Sequence, residues 1–398
     1  MRIGVDVTTR LHGGGGLHLK QLLGEWLRLG VYQTHDVVIF ARPENLDIIR
    51  QWTGGKARLM PQRIVAWGTW SRLFWQQVIL PVLAWKANLN VVFCPGNTCP
   101  LICSVPTVVM LQNAAPFSPL VSARTEGMKR WFSFRVLERM MSFSSKRSER
   151  VIFISKYFRD LFVATHRVRP EQAEVIYLGR ELTESCEPDA EIVAKLRHLK
   201  PVILCISHLY PYKRLGVLIT AYHLQRECLI GMGIRLRIVG KAMQRAEHDR
   251  LTSLISEYRL EGWVELSGEV PQNQVSRVLS IAAFFVFQTT CENCPSTLIE
   301  ALAAGVPVAS AGVGVMPEIA GDAALYFDPL DPNDLGRALV AMATDDGLRN
   351  ELVLRAKEQI RQFPSWERVA ISTLACLELA GRRHEKQAGV PQPCSKDA

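Results

Sequence analysis

The chain reads as an α/β protein built from two successive halves with mainly parallel sheets. Three observations predict this. Its 398 residues exceed one ordinary domain, and an apolar content of 48% is enough for two cores. Short apolar runs alternate with amphipathic stretches along the whole length, the pattern of βα units and mainly parallel sheets. The alternation starts afresh near residue 201, after a polar and acidic interval.

The elements follow in order. Residues 3–7 form the first expected strand. His12-Gly13-Gly14-Gly15-Gly16 then reads as a glycine loop, and residues 17–29 have helical periodicity. Residues 37–40, 90–93, 107–111 and 151–154 are further buried-strand candidates, closing a first domain over 1–177. The interval that follows carries Glu181, Glu184, Glu187, Asp189 and Glu191 and is expected to connect the domains and run into a helix. The second domain, 178–365, has strand candidates at 201–206, 235–239, 264–266, 283–287, 306–309 and 323–327. Residues 366–380 are expected to form a last helix. The polar, Pro-containing residues 381–398 are expected to be a disordered tail.

Charge is divided unevenly. Residues 1–175 hold 23 Lys+Arg against 11 Asp+Glu, and the remainder 24 against 27, so the overall excess of +9 belongs to the first half. No acidic residue occurs in residues 48–125. Such a field suits an anionic partner. Zinc-finger spacing, a basic region with heptads and an aromatic RNA-binding signature are all missing, which argues against nucleic acid. The bases are interleaved with Trp67, Trp70, Phe74, Trp75, Trp85, Trp131, Phe132 and Phe134, and aromatics beside Lys/Arg favour an anionic membrane surface. The competing reading is an ordinary core under a solvated basic face. Residues 128–150, with Lys129, Arg130, Arg135, Arg139, Lys146, Arg147 and Arg150, can form a basic amphipathic helix at such a surface, or a surface helix packed by its aromatic side.

No run reaches the ~18–20 apolar residues that span a bilayer. The first ten residues read as a strand and not as a signal peptide, so the expected location is cytoplasmic, peripheral on the inner face of the cell membrane. Ten cysteines in that compartment are expected to be mainly free thiols. Cys291 and Cys294 form a C-x2-C that could be redox-active at a helix N-terminus, but the spacing alone is a weak signal and incidental loop residues are the commoner outcome.

Four segments carry candidate chemistry. Gly14, Gly15 and Gly16 let backbone N–H groups approach an anion, although a flexible turn would look the same. Gln112-Asn113 ends a strand where ligands collect in open α/β sheets. His208 to Arg214 follows the strand at 201–206, and Lys213 would emerge near a helix N-terminus as a point charge for phosphate. Last, Cys291 to Val308 runs from a strand end through a loop into an apolar helix that stops at Gly305, with Pro307 beyond. Glu292 and Glu300 lie eight positions apart in it, one expected in the loop and one in the first turn. A helix N-terminus offers unpaired amides to a diphosphate. Thr297-x-x-Glu300 could equally be a capping box, worth about 0.5–2 kcal/mol.

Taken with Lys213, this last segment resembles the E-x7-E signature of family-four retaining, nucleotide-sugar-dependent glycosyltransferases (glycosyl transferases group 1). The resemblance implies the GT-B fold: two facing Rossmann-like domains, with a C-terminal helix crossing back to the first. It implies transfer of a hexose from a GDP-, UDP- or other nucleoside-diphosphate sugar to a glycan or lipid-linked acceptor with retention, in bacterial surface polysaccharide or lipopolysaccharide biosynthesis. By resemblance, Glu292 contacts the transferred sugar, and Lys213, His208 and Arg214 face the diphosphate. The amides of Ser296, Thr297 and Leu298 hold that diphosphate, and Glu300 binds the ribose. Gly14, Gly15 and Gly16 approach the donor, and Asn113 positions a hydroxyl. Ser155-Lys156-Tyr157-Phe158 also fits the family, as a wall of the site. Neither a cofactor nor a metal is implied, and activity is expected to survive a chelator.

Two positions depart from the family pattern. His208 stands where an Arg is usual, and Gln112-Asn113 where many relatives have His-Asp. They leave open an epimerase on the same fold, which needs no acceptor, or a catalytically degenerate binder of membrane surfaces.

Overall fold

The computed structural model describes residues 1–9, 11, 13–118, 120–121, 127–166, 168–180, 201–271 and 274–387. The acidic connector from Glu181 to residue 200 and the tail beyond residue 387 lie outside the described residues. The chain divides into two compact units. The first comprises Met1–Asn113, Val136–Gly179 and Pro364–Ala398, and the second Ala114–Arg135 and Arg180–Phe363.

The first unit holds a seven-stranded parallel sheet in the order β3-β2-β1-β4-β5-β6-β7. The strands are β1 Arg2–Val7, β2 Asp36–Ala41, β3 Arg58–Pro61, β4 Val91–Cys94, β5 Thr107–Leu111, β6 Arg150–Phe153 and β7 Ala173–Val175. Five of these match the expected strands to within one residue at either end. The two that the sequence pattern did not signal, β3 and β7, are the sheet's edges. They are short and incompletely buried, so neither shows the continuous apolar run of a strand covered on both faces.

The unit's helices that matter below are α1 Gly13–Arg28, α2 Thr69–Phe74, α3 Leu80–Lys86 and α4 Met128–Arg147, whose first turns group with the second unit, then α5 Lys156–His166. A π-helical turn, Trp75–Ile79, joins α2 to α3. Trp75 is not at the surface as expected. It is fully buried, tilted against Phe40 at 5.9 Å, and its Nε1 donates to Gln62 Oε1 at 2.7 Å. The helix from Met128 also departs from expectation. It buries Met141, Ser142, Ser144 and Ser145 near its end and leaves Phe132 and Phe143 exposed, so small side chains and not the aromatic face make its close packing.

The second unit is a six-stranded parallel sheet ordered β10-β9-β8-β11-β12-β13. Its strands are β8 Val202–Ile206, β9 Arg235–Val239, β10 Val264–Leu266, β11 Ala282–Phe287, β12 Val308–Ala311 and β13 Ala324–Phe327. The helices that matter below are α6 Leu215–Leu224, α7 Arg245–Glu257, α8 Ser296–Ala303, α9 Pro332–Thr344 and α10 Asp346–Arg361. Asp331 and Asp345 cap α9 and α10 by accepting from Asn333 N–H and Leu348 N–H, both at 2.8 Å.

The last helix, α11 Trp366–Gln387, belongs to the first unit. It packs on α1, where buried Trp26 donates from Nε1 to Ala370 O at 3.2 Å. The helix runs seven residues past the expected end at Ala380. Gly381 rests against Met1 and Asn90 of the sheet, so packing extends α11 where composition alone suggested a tail.

In each sheet the strand order reverses direction once, between β1 and β4 in the first and between β8 and β11 in the second. Strands diverging at such a switch point leave a crevice at their carboxyl ends, where ligands bind in open α/β sheets. The segments singled out by sequence follow β1, β5, β8 and β11.

Candidate active site

The second unit brings its candidate residues together in the loops after β8, β9 and β11. The chain leaves β8 at Ile206 and makes a short 3-10 turn, Pro211–Lys213. Arg214 takes the left-handed conformation, φ 50°, before α6 begins. Thr290, three residues beyond β11, ties the two loops together: its N–H and Oγ1 both donate to Tyr212 O, at 3.1 and 2.7 Å. Gln288 Nε2 donates to Arg214 O at 3.3 Å and to Pro329 O at 2.9 Å. These bonds place Lys213 opposite Glu292, 79 positions away in sequence, and the two side chains form an ion pair.

Lys213 is 9% exposed. Burial pulls its pKa down to about 8, so the ammonium is still largely charged at neutral pH. The Glu292 carboxylate in contact with it favours the charged form. Its Nζ also lies over the rings of Tyr212 and Phe287, 5.4 and 5.8 Å from their centroids.

Glu292 lies four positions before α8, whose first residue is Ser296. Leu298 N–H and Ile299 N–H both donate to Pro295 O at 3.2 Å, so Ser296 and Thr297 precede the first helical bonds. Two expectations are corrected here. The residue before the helix is Pro295, and no side-chain cap bond forms, so the Thr297-x-x-Glu300 capping box is not made. Glu300 is consequently the fifth residue of α8 and not in its first turn. Leu298 is fully buried, so only its backbone can serve a ligand.

His208 is half-buried, and its Nδ1 accepts from Lys241 N–H at 3.2 Å. That bond puts the ring proton on Nε2. Burial lowers the pKa, only partly offset by Glu269, so the ring is neutral at pH 7. His208 therefore offers one neutral N–H donor where an arginine would offer a fixed charge. Gly240 permits the crossing of these loops, since a Cβ there would lie 2.0 Å from Ser207 O. Tyr210 stacks on Tyr212 at 5.4 Å, and the Arg130 guanidinium lies 4.7 Å from the Tyr210 ring centroid.

Gly14, Gly15, Gly16 and Asn113 lie in the first unit. The glycines form the first turn of α1 and not the expected loop. Their value is therefore that of first-turn amides plus close approach. A Cβ on Gly16 would lie 2.8 Å from the Leu11 backbone, and one on Gly15 would lie 3.2 Å from Gln112 Oε1, while Gly14 faces open space. The glycine turn and the Gln112-Asn113 pair are thus neighbours.

Sequence reading missed what holds that pair. Asn97, in the left-handed conformation at φ 71°, accepts on Oδ1 from both Gln112 N–H and Asn113 N–H, at 2.7 and 2.9 Å. It also missed Asp6, a buried carboxylate that accepts from Thr8 N–H, Thr8 Oγ1 and Gln76 Nε2. Gln76 in turn bonds Thr98 through both ends of its amide. A charged residue ending an otherwise apolar strand was the one available signal for Asp6.

Ser155 caps α5 by accepting from Phe158 N–H at 3.3 Å, so the Ser-Lys-Tyr-Phe segment is accounted for locally by helix initiation. Cys291 and Cys294 are both buried and not joined to each other. No group of His, Cys, Asp and Glu with metal-ligand geometry occurs among the described residues.

Comparison with known proteins bears on both units. Residues 189–359 match the sequence model described as glycosyl transferases group 1. The O-antigen chain mannosyltransferase B of Escherichia coli is 30% identical over 178 residues, 44% of this chain and 45% of that protein. The chain spans about half the length of the curated relatives it matches. The crystal structure of Anabaena HepE with UDP and glucose superposes with a TM-score of 0.71 at 17% identity, covering 95% of this chain and 99% of that one. WaaG, a glycosyltransferase involved in lipopolysaccharide biosynthesis, superposes with a TM-score of 0.65 at 14% identity, covering 98% and 100%. Residues 189–359 thus match the glycosyl transferases group 1 model, within a chain that has the GT-B fold of two Rossmann-like domains.

Proposed function

We propose that the protein is a retaining glycosyltransferase. It would move a hexose from a nucleoside-diphosphate sugar to a hydroxyl of a glycan or lipid-linked acceptor, in the assembly of a bacterial surface polysaccharide. The observation that carries this reading is the buried Lys213–Glu292 pair, four positions ahead of the α8 N-terminus. A buried cation beside a helix N-terminus is chemistry for a departing anion. The relatives supply the polysaccharide context through the printed roles of the mannosyltransferase and of WaaG.

In this reading the donor diphosphate lies on the amides of Ser296 and Thr297 and takes Lys213 as its counter-ion. Glu292 is then released toward the sugar hydroxyls, and Glu300 takes the ribose. The bond from the anomeric carbon to the phosphate oxygen breaks as the bond to the acceptor oxygen forms on the same face. The acceptor proton passes to the leaving phosphate. Lys213 offsets the negative charge that grows there, so that arginine at position 208 is dispensable and His208 contributes a neutral hydrogen bond. The Gly14–Gly16 turn and Asn113 serve as positioning elements on the first unit.

The test is product analysis with purified protein, a panel of nucleoside-diphosphate hexoses and lipid-linked or oligosaccharide acceptors. Acceptor-dependent release of nucleoside diphosphate, with an anomeric configuration matching the donor by NMR, is the expected result. An inverted product would refute retention. Conversion of the donor without acceptor would make the protein an epimerase, and no turnover of any donor would leave a binding protein.

A further inference from the structure

The longest run of exposed apolar side chains lies in the acid-free part of the first unit. Trp67 is 81% exposed, Trp70 79%, Phe74 52%, Val78 49%, Val82 47% and Trp85 64%. These positions recur every three or four residues from the turn before α2, through the π-helical turn, to the end of α3. From Trp70 to Trp85 they form one stripe along one side of a near-continuous helix, and Trp67 precedes it across Gly68, whose φ of 141° breaks the helical path. The opposite side is the packed one, with Trp75, Gln76, Leu80 and Ala84 all fully buried. In a pure α-helix a four-residue repeat drifts steadily around the axis, and the wider π turn at Trp75–Ile79 offsets part of that drift. Ile102, 84% exposed, adds to the patch, because Leu101 N–H is anchored to Gln77 Oε1 of the same helix at 2.9 Å.

The charges flanking this stripe in sequence have one sign. Lys56, Arg58, Arg63 and Lys86 are exposed, and residues 48–125 contain no carboxylate. The nearest acids in sequence, Glu44 and Asp47, are paired to Arg42 and Arg50. Three exposed tryptophans on an apolar face with a basic surround match the headgroup region of an anionic bilayer, where indole rings settle and cations find lipid phosphates. No described helix is long and apolar enough to cross a membrane.

We propose that the α2–α3 stripe lies flat on an anionic lipid surface, with Trp67, Trp70, Phe74 and Trp85 inserted at the boundary between headgroups and acyl chains. The surface is separate from Lys213 and Glu292, so vesicle binding and donor binding fail independently.

Sedimentation with vesicles tests this, using phosphatidylcholine alone and phosphatidylcholine with phosphatidylglycerol. The wild type is expected to sediment with the anionic vesicles and much less with the neutral ones, and to release as salt rises. The combined variant Trp67→Ser, Trp70→Ser, Trp85→Ser is expected to partition at least tenfold less, with its melting temperature and elution volume unchanged. Should that variant fail to fold, tryptophan emission of the wild type serves instead: vesicles with brominated acyl chains should quench it. Wild type left in the supernatant with both vesicle types would overturn the proposal. So would equal sedimentation of the variant, absence of quenching, or a wild-type dimer that the variant converts to monomer, which would mean a second copy covers the stripe.

Discussion

The candidate residues of the two units are held on different principles. At the edge of the second unit a charge pair, Lys213 with Glu292, is buried and held by backbone carbonyls that Thr290 and Gln288 grip. At the edge of the first unit the side chains nearest the glycine turn are the neutral pair Gln112 and Asn113, fixed through their own backbone by Asn97. The second edge can answer a change of charge, and the first can set distance and direction. In the proposed function, that contrast would give leaving-group stabilisation to the second unit and positioning to the first.

The strongest way to break this comparison is to remove the cation. Lys213→Ala is expected to lower kcat by about 10²–10³-fold, the usual cost of losing one preorganised group that stabilises transition-state charge. A loss of less than tenfold in steady-state turnover would move the charge chemistry elsewhere.

The glycine turn sharpens the other side. Gly16→Ala forces a Cβ to 2.8 Å from the Leu11 backbone, whereas Gly14→Ala points into open space. The first should cost about 1–3 kcal/mol in chemical denaturation and the second under 1 kcal/mol. Equal costs would mean that close approach is not what glycine provides there.

A smaller effect separates the units by pH. His18, in α1, is fully buried, and neither ring nitrogen has a hydrogen-bond partner; burial lowers its pKa to about 4 from an ordinary 6.5. Because the folded value is depressed, the unfolded chain takes up a proton first as pH falls. The stability held above pH 6.5 is therefore lost between about 6.5 and 4. From pH 7.5 to 5 that loss is about 2 kcal/mol. His18→Leu should flatten this part of the pH profile of denaturation, and an unchanged profile would show that His18 is not its source.

Thr290→Val is expected to be the mildest change at the second edge. It removes the Oγ1 bond to Tyr212 O and keeps the N–H bond, costing about 1 kcal/mol, or roughly fivefold in donor affinity by titration calorimetry. Thr290→Ser should restore it, which a purely steric role would not predict.

The sequence revealed those parts of the fold whose cause is local. Strands covered on both faces read as continuous apolar runs, so β4, β5 and β8 were legible, while the edge strands β3 and β7 were not. Lys213 and Glu292 were legible as candidates, because each follows a buried strand and precedes a helix. Their direct pairing was not, since it depends on loops after β8 and β11 becoming neighbours at a crossover. Asn97 and Thr290 were invisible for a similar reason, each acting on the backbone of another loop. The capping box misled because the helix begins at Ser296, after Pro295, two residues earlier than a Thr297 cap requires. The tail prediction failed where Gly381 lets α11 pack against β-sheet neighbours that composition cannot show.

Donor binding tests the central claim most directly. Thermal shift with GDP-, UDP-, ADP- and dTDP-sugars, on wild type, Lys213→Ala and Glu300→Ala, would show whether the second-unit edge is the nucleotide-sugar site. One nucleotide class should raise the melting temperature of the wild type, with the response lost or sharply reduced in both variants. A response that persists unchanged in both variants would contradict the account.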